Sequence, residues 1–238
     1  MRARYLIFVL VLLGADPAAP QGGTISGSVV AVKDGKAVSR DDVYVFLEQV
    51  PRPKRDALPG AGQTREIVQK TEKKEDGPFF FPRVLVVPVG TTVFFPNLDK
   101  QEQHNVFSPT DPIFDLGKYG FSKKGKPRKF EVADEFDIFC DVHPTMWAKI
   151  KVVESPYITR VVNGKFSFAN IPPGKYKVVA WVRNSSEVRS GLVTLAAGGT
   201  VTLDRELHLQ VKSRSGCHER KDGTPYTAKY GKPCPEDY

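Results

Sequence analysis

The 238-residue chain is poor in the residues that build metal sites and disulfides, with three cysteines, four histidines and two methionines. It also lacks heptads and any long stretch of apolar residues at the period of an amphipathic helix, so helix should be a minor component. There is no catalytic arrangement of serine, histidine and aspartate, no glycine-rich phosphate loop, and no pair of carboxylates in a sequence context that indicates catalysis. We therefore expect little helix and no enzymatic activity.

The N-terminus carries the features of an export signal. Arg2 and Arg4 precede a short apolar run over residues 5–13, and small residues follow it. The run is shorter than the roughly 20 residues that span a bilayer, and no second apolar span follows. We expect residues 1–19 to be a signal peptide, with an uncleaved anchor as the alternative. The mature chain should be periplasmic or secreted, without stable membrane insertion.

Short strand-forming segments alternate with turn residues along the chain. Nineteen prolines and 20 glycines are expected where many strands are joined by turns, and Asn163-Gly164 is a strong hairpin signal. The sequence therefore predicts an all-β fold. The main predicted strands span residues 24–32, 43–47, 79–89, 91–95, 104–108, 129–132, 136–140, 147–153, 158–162, 166–168, 176–182, 192–195 and 201–209.

These strands fall into two all-β units. Residues 64–154 form a middle unit, and residues 24–50 and 156–211 flank it. The C-terminal group of strands alone is small for a self-standing sandwich, and the N-terminal pair of strands has no other evident partner. Joining the two gives a discontinuous β-sandwich with the middle unit inserted in a loop, which is tolerated where a domain's ends lie close together. The alternative pairs the first two strands with the middle unit.

The odd number of cysteines requires an account of the one that is left over. Cys217 and Cys234 both lie in the polar tail formed by residues 212–238 and could form a disulfide there. That pairing leaves Cys140 inside an apolar strand. A metal-bound thiolate explains this position, whereas a disulfide would not.

The chemistry-bearing motif is Cys140-x2-His143-x2-Met146. Its spacing is too short for a helix and suits a tight turn at the end of a strand. His104 begins another predicted strand and can supply a second imidazole. One thiolate, two imidazoles and a weak axial thioether are the ligands of type 1 (blue) copper. The alternatives are a buried cysteine with incidental histidines, and a zinc site, which the thioether disfavours.

Three segments together resemble a cupredoxin: FPRVLVVPVGTTVFFPN (residues 81–97), HNVF (104–107) and CDVHPTM (140–146). The ligand loop is similar to that of amicyanin, and HNVFS with FDLG (114–117) resembles plastocyanin-like proteins of the methylamine-utilisation type. The resemblance covers residues 67–153. It implies a Greek-key β-barrel or sandwich that binds one copper ion.

The same resemblance implies roles for two residues beside the ligands. The backbone N–H of Asn105 would bond the sulfur of Cys140 and so tune the redox potential, with a simple turn residue as the alternative. Pro144 would stiffen the ligand loop. Many cupredoxins have a glycine before the strand that begins here at Phe136, and this chain does not, so Asp134 or Glu135 must make that turn.

The flanking strands resemble a second family. ISGSV (residues 25–29), NGKFSF (163–168) and IPPGKY (171–176) are similar to carboxypeptidase-regulatory-like, transthyretin-like β-sandwiches. This resemblance is less specific, but it favours the inserted arrangement.

The expected function is the transfer of single electrons between redox partners through a copper site of two histidines, one cysteine and one methionine, with the imidazole edge of His143 as the exit. The alternatives are a copper carrier or storage protein, an extracytoplasmic binding or scaffold module with a passenger cupredoxin unit, and a subunit of a larger oxidase. No motif indicates a nucleic-acid partner.

The net charge is +8, and a basic segment without acids lies between Leu116 and Phe130. It is interpreted either as a docking surface for an acidic face of a redox partner or as a solvated loop. Its basic residues are Lys118, Lys123, Lys124, Lys126, Arg128 and Lys129.

Overall fold

The computed structural model describes residues 21–54, 57–73, 77–213 and 218–224. These residues form 19 strands and no helix, which confirms the predicted all-β fold. Nothing among them could cross a bilayer as an apolar helix. The predicted signal peptide, Cys217 and Cys234 lie outside the described residues.

The strands are short and follow one another closely. In chain order they are β1 (Gly23–Lys33), β2 (Lys36–Val38), β3 (Tyr44–Gln49), β4 (Thr64–Glu66), β5 (Val68–Lys70), β6 (Phe79–Phe81), β7 (Val84–Pro88), β8 (Thr92–Asn97), β9 (His104–Ser108), β10 (Phe114–Tyr119), β11 (Ser122–Lys129), β12 (Glu135–Phe139), β13 (Trp147–Val153), β14 (Ile158–Arg160), β15 (Lys165–Ile171), β16 (Gly174–Trp181), β17 (Val188–Leu195), β18 (Thr200–Thr202) and β19 (Leu207–Gln210).

Strands that precede the middle unit in the sequence and strands that follow it share two sheets, which we call the flanking sandwich. In the first sheet, β1 pairs with β15, β18, β19 and β2, and in the second the order is β14-β3-β16-β17. Side chains that alternate along β1 and β3 fill one core between the sheets, as the two-residue period of a strand requires. Strands β1 and β3 thus pair with strands that follow the middle unit in the sequence.

The chain leaves and re-enters the flanking sandwich at neighbouring points. β3 and β14 are antiparallel partners with Phe46 opposite Ile158. Just beyond that pair, the backbone N–H of Leu47 donates to the carbonyl of Tyr157 at 3.1 Å. The residues that lie between these points in the sequence form the middle unit.

The middle unit is itself a two-sheet sandwich. One sheet has the order β10-β9-β12-β13-β7, and the other has the order β11-β8-β5-β6, with β4 beside β8. Its core is rich in aromatic rings, and Phe130 contacts both Phe114 and Phe136 edge to face. Asp134 makes the turn for which the sequence offers no glycine, because its carboxylate accepts the backbone N–H of Glu135 at 2.7 Å.

The two sandwiches pack against each other through apolar side chains, which we call the interface. Along β16, Val178 and Ala180 face the core of the flanking sandwich, whereas Val179 and Trp181 face the middle unit. Both faces of this strand are therefore buried, which explains its unbroken apolar run. The buried members of the interface are Phe46, Val84, Val86, Val153, Val179 and Trp181.

The interpretation of the basic segment as a loop was wrong, because its basic residues lie on the edge strands β10 and β11. Glycine and proline within the segment concealed the strands. Gly117 and Gly125 adopt positive φ (69° and 68°) where the register shifts, so the strands accommodate them as bulges. Lysines on an edge strand face solvent and oppose edge-to-edge pairing.

Two further predictions changed in detail. Asn163 and Gly164 form a turn in which both residues have positive φ, but only one bridge, Val162 with Lys165, joins the flanking segments. β14 and β15 then separate into different sheets, because each finds a longer partner there. The strand predicted for residues 129–132 ends at Lys129, the last residue of β11.

Candidate metal centre

The predicted ligands come from two neighbouring strands of the middle unit. His104 is the first residue of β9, and Cys140 directly follows β12, which pairs with β9. The loop from Cys140 to Met146 then leads into β13. The end of this sheet therefore gathers donors that are 36 residues apart in the sequence.

Three donor atoms converge at this end of the sheet. The Nδ1 atoms of His104 and His143 are 3.2 Å apart, and the Sγ atom of Cys140 is 3.7 Å from Nδ1 of His143. A donor atom of each of the three residues lies within 4.8 Å of the other two. His104 and Cys140 are fully buried, whereas the side chain of His143 is 20% exposed.

Carboxylates hold the other nitrogen of each imidazole. Nε2 of His104 lies 2.6 Å from Oδ2 of Asp99, and Nε2 of His143 lies 3.3 Å from Oε2 of Glu102. An ionised carboxylate only accepts hydrogen bonds, so the short contact to Asp99 places a proton on Nε2 of His104 and leaves its Nδ1 as an acceptor. Burial, and next the neighbouring His104, lower the pKa of His143 to about 4, so this imidazole is neutral at pH 7 and one of its ring nitrogens carries no proton.

This arrangement fits a bound transition-metal ion. Nitrogens about 2.0 Å and a sulfur about 2.3 Å from one ion, at near-trigonal angles, are separated by roughly 3.3–3.5 Å (N–N) and 3.5–3.7 Å (N–S). The N–N and N–S distances in this site are 3.2 and 3.7 Å. Two imidazoles and a thiolate at this spacing are a donor set that can hold such an ion.

Asp99 orients His104 and was not recognised in the sequence. Besides bonding the imidazole, its carboxylate accepts the backbone N–H of Thr71 at 2.8 Å and the hydroxyl of Thr71 at 3.0 Å. Its own backbone N–H donates to Asn97. A ligand histidine whose other nitrogen bonds a fixed carboxylate has a defined tautomer and ring orientation. The only sequence signal is an acid five residues before a candidate ligand.

Two backbone hydrogen bonds close the ligand loop. The N–H of Cys140 donates to the carbonyl of Met146, and the N–H of Met146 donates to the carbonyl of His143, both at 3.2 Å. Met146 is fully buried in the same core cluster as Cys140, and Pro144 is also buried. The loop thus returns its last residue to the core beside its first.

Asn105 links the two strands that carry the donors. Its backbone N–H donates to Sγ of Cys140 at 3.5 Å, the contact that the resemblance implies. Its side-chain oxygen accepts the N–H of Asp141 at 3.2 Å, and its side-chain nitrogen donates to Asp115 at 2.7 Å. Burial raises the pKa of the Cys140 thiol, and backbone N–H groups, first that of Asn105, oppose the increase.

No protein-family model and no curated protein matches the chain significantly. Solved structures do match, and 57 of their chains are similar to it. Native pseudoazurin from Hyphomicrobium denitrificans is 21% identical over 37% of this chain and 74% of its own, with a TM-score of 0.30. A methionine-to-leucine mutant of amicyanin is 23% identical over 37% and 81%, with a TM-score of 0.31.

A purple cupredoxin from Nitrosopumilus maritimus is 24% identical over 37% of this chain and 99% of its own, with a TM-score of 0.31. These structural neighbours are cupredoxins, and each spans little more than a third of the chain.

Proposed function

We propose that the protein is a type 1 copper protein that transfers single electrons between redox partners. His104, Cys140 and His143 would be its strong ligands, and Met146 its weak axial ligand. One observation carries the proposal: one ring nitrogen from each of His104 and His143 and the sulfur of Cys140 lie within 4.8 Å of one another at the end of a buried sheet. Two histidines and a cysteine with a thioether are the donors that favour copper over zinc.

The surrounding residues suit a redox ion. Copper bound at this site would supply one-electron chemistry by changing between Cu(II) and Cu(I). Asp99 holds the ring of His104, and Asn105 holds the sulfur of Cys140. Because these contacts are made by the protein scaffold, they can present the same ligands to both oxidation states, and burial of His104 and Cys140 keeps water away from them.

His143 offers the route by which a partner would approach. It is the one histidine of the pair that reaches the surface, with Glu102 beside its Nε2. Lys123 and Lys124 are exposed on β11 and support a docking face for a redox partner with acidic groups. Basic residues of that segment also contact aromatic rings locally, since Nζ of Lys124 lies 5.9 Å from the ring centroid of Phe94 and the guanidinium carbon of Arg128 lies 5.0 Å from that of Phe114.

The remaining sequence-based expectations complete the proposal. The chain would be exported to the periplasm or secreted, it would act as a carrier of electrons and not as an enzyme, and it would bind no nucleic acid. Residues 24–50 and 156–211 would form a carboxypeptidase-regulatory-like domain, with residues 64–154 as a cupredoxin domain inserted in it. The paired strands β3 and β14 support the insertion.

The test is the optical and EPR spectrum after addition of Cu(II) to the wild type and to Cys140→Ser. The wild type should show an intense thiolate-to-copper charge-transfer band and cycle reversibly, and the serine variant should lack the band. A colourless wild type would rule out blue copper. A copper carrier or storage protein would instead give its copper readily to a chelator and show no such band.

A further inference from the structure

The tail segment, residues 218–224, lies against the ligand loop. The ring of His218 is stacked on the ring of Phe139, with centroids 4.3 Å apart and an angle of 17° between the planes. The backbone N–H of Lys221 donates to Oδ1 of Asp141 at 3.2 Å. Phe139 and Asp141 are the two chain neighbours of Cys140, so the tail segment contacts the chain on both sides of the thiolate.

The side chain of Lys221 reaches a second carboxylate. Its Nζ donates to Oδ2 of Asp115 at 2.9 Å, while Oδ1 of Asp115 accepts the side-chain N–H of Asn105 at 2.7 Å. Burial alone would raise the pKa of Asp115, but hydrogen bonds from Lys221, Gly117 and Asn105 lower it below its usual value. The pKa of Lys221 is raised, chiefly by its bond to Asp115.

These contacts form a closed ring around Asn105. One end of its side-chain amide bonds Asp115, the other end bonds the N–H of Asp141, and Lys221 bonds both of those residues. Arg220 adds an ion pair to Asp141 at 3.6 Å. The backbone N–H of Asn105, which bonds the cysteine sulfur, therefore lies inside a ring that the tail segment completes.

We propose that Lys221 is a positioning residue of the metal centre, which fixes the Asn105 peptide through Asp115 and Asp141 and so sets its N–H···S bond to Cys140. The inference rests on the proposed copper function. The ion pair itself contributes little stability, since the side chains of Lys221 and Asp115 are 44% and 38% exposed and such pairs are weak. Its effect is on geometry, and hydrogen bonds to a ligating sulfur tune the metal.

The experiment compares full-length Lys221→Gln with Lys165→Gln, which removes the same charge from an exposed position on β15. In the metal-free protein, hydrogen exchange of the backbone amide of Asn105 should accelerate several-fold in Lys221→Gln only. Lys221→Arg should restore the protection. This readout does not depend on copper.

In the copper-loaded protein, a weaker N–H···S bond leaves more electron density on the sulfur and favours Cu(II). The Cu(II):Cu(I) ratio at a fixed potential should rise by up to tenfold, about 59 mV for one electron, and the thiolate band should move. Asp115→Ala separates geometry from charge. Loss of a negative charge alone would favour Cu(I), whereas a disrupted ring favours Cu(II), as in Lys221→Gln.

The results separate a positioning role of Lys221 from an effect of charge and from a failure of the copper proposal. If Lys221→Gln matches Lys165→Gln in both amide exchange and the Cu(II):Cu(I) ratio, the positioning role is overturned. If Asp115→Ala shifts the ratio toward Cu(I), the tail acts by charge and the proposal is equally overturned. A wild type without a thiolate band would end the copper proposal, while exchange of the Asn105 amide would still test the ring.

Discussion

Two regions of the molecule are equally buried and chemically opposite: the interface between the two sandwiches and the ligand end of the middle unit. At the interface, Val179 and Trp181 are fully buried among other apolar side chains. At the ligand end, His104, Asn105 and Cys140 are also fully buried, but their polar atoms point at one another. Burial at the interface removes apolar surface from water and stabilises the fold. Burial at the ligand end holds potential metal-ligating atoms close together, which is favourable only when an ion binds them.

The largest effect is expected at the interface. Trp181→Ala should lower the free energy of unfolding by about 3–5 kcal/mol, because it leaves a large cavity and removes the bond from Nε1 to Glu135, at 2.8 Å. Urea denaturation of the metal-free protein measures it. Trp181→Phe is the matched control and should lose clearly less. An alanine variant as stable as the wild type would show that the interface is not a packed core.

At the ligand end, the expected loss is in metal binding. Asp99→Asn should weaken copper binding by roughly 10–100-fold, as replacement of a carboxylate that orients a ligand histidine usually does. Competition with a chelator of known affinity measures it. Glu102→Gln is the control, because Glu102 is 52% exposed and lies farther from its histidine. A larger loss of copper affinity in Glu102→Gln than in Asp99→Asn would contradict the assignment of Asp99 as the orienting carboxylate.

A smaller effect is expected where polar groups border the interface. Glu135 accepts Nε1 of Trp181 and lies 3.3 Å from Nζ of Lys151. Glu135→Gln keeps an oxygen that can accept Nε1 of Trp181 but removes the charge beside Lys149 and Lys151. It should therefore lower the free energy of unfolding by about 0.5–1 kcal/mol, as for a partly exposed ion pair, and salt should reduce the difference. Denaturation at two ionic strengths tests this. Glu131→Gln removes a carboxylate whose ion pair with Lys129 is exposed on both sides and should change the free energy of unfolding much less than Glu135→Gln does. An equal loss there would refute the assignment.

The smallest effect on stability should come from a ligand. His143→Ala removes a neutral imidazole at the surface end of the site, whose side chain is 20% exposed, and leaves the apolar cores of both sandwiches untouched. The unfolding free energy of the metal-free protein should therefore change by less than about 0.5 kcal/mol, as for a surface substitution, while the thiolate band disappears. His208→Ala, on exposed β19, is the control. A loss as large as that of Trp181→Ala would erase the distinction between the regions.

The parts of the site that could be predicted are those that lie within a few residues of one another. Cys140 and His143 occupy one short loop, only His104 comes from elsewhere in the chain, and the role of Met146 as a ligand stays a prediction. Asp99 was missed although it lies five residues before His104, because its contact depends on the conformation of the turn between β8 and β9 and not on a recognisable spacing. Lys221 was missed because it is distant in the sequence. Lys221 meets Asp141 across 80 residues of sequence, and such contacts leave no periodicity or spacing to recognise.

The fold shows the same limit. The strand predicted for residues 147–153 has the observed bounds of β13, because its alternation is clear. The Asn163-Gly164 turn was also found, but the sheet that each neighbouring strand joins depends on distant partners. Charge, glycine and proline concealed β11, whose bulges become visible only once β8 lies beside it.

The position at which the chain leaves and re-enters the flanking sandwich has a consequence for biosynthesis. All strands from β4 to β13 find their partners among themselves, so the middle unit can fold as soon as residue 153 has emerged. β1 and β3 must wait, because their partners are β14 to β19. Domains generally fold in the order of their synthesis. Here we expect the middle unit to fold first and the flanking sandwich, whose strands lie on both sides of it in the sequence, to fold last.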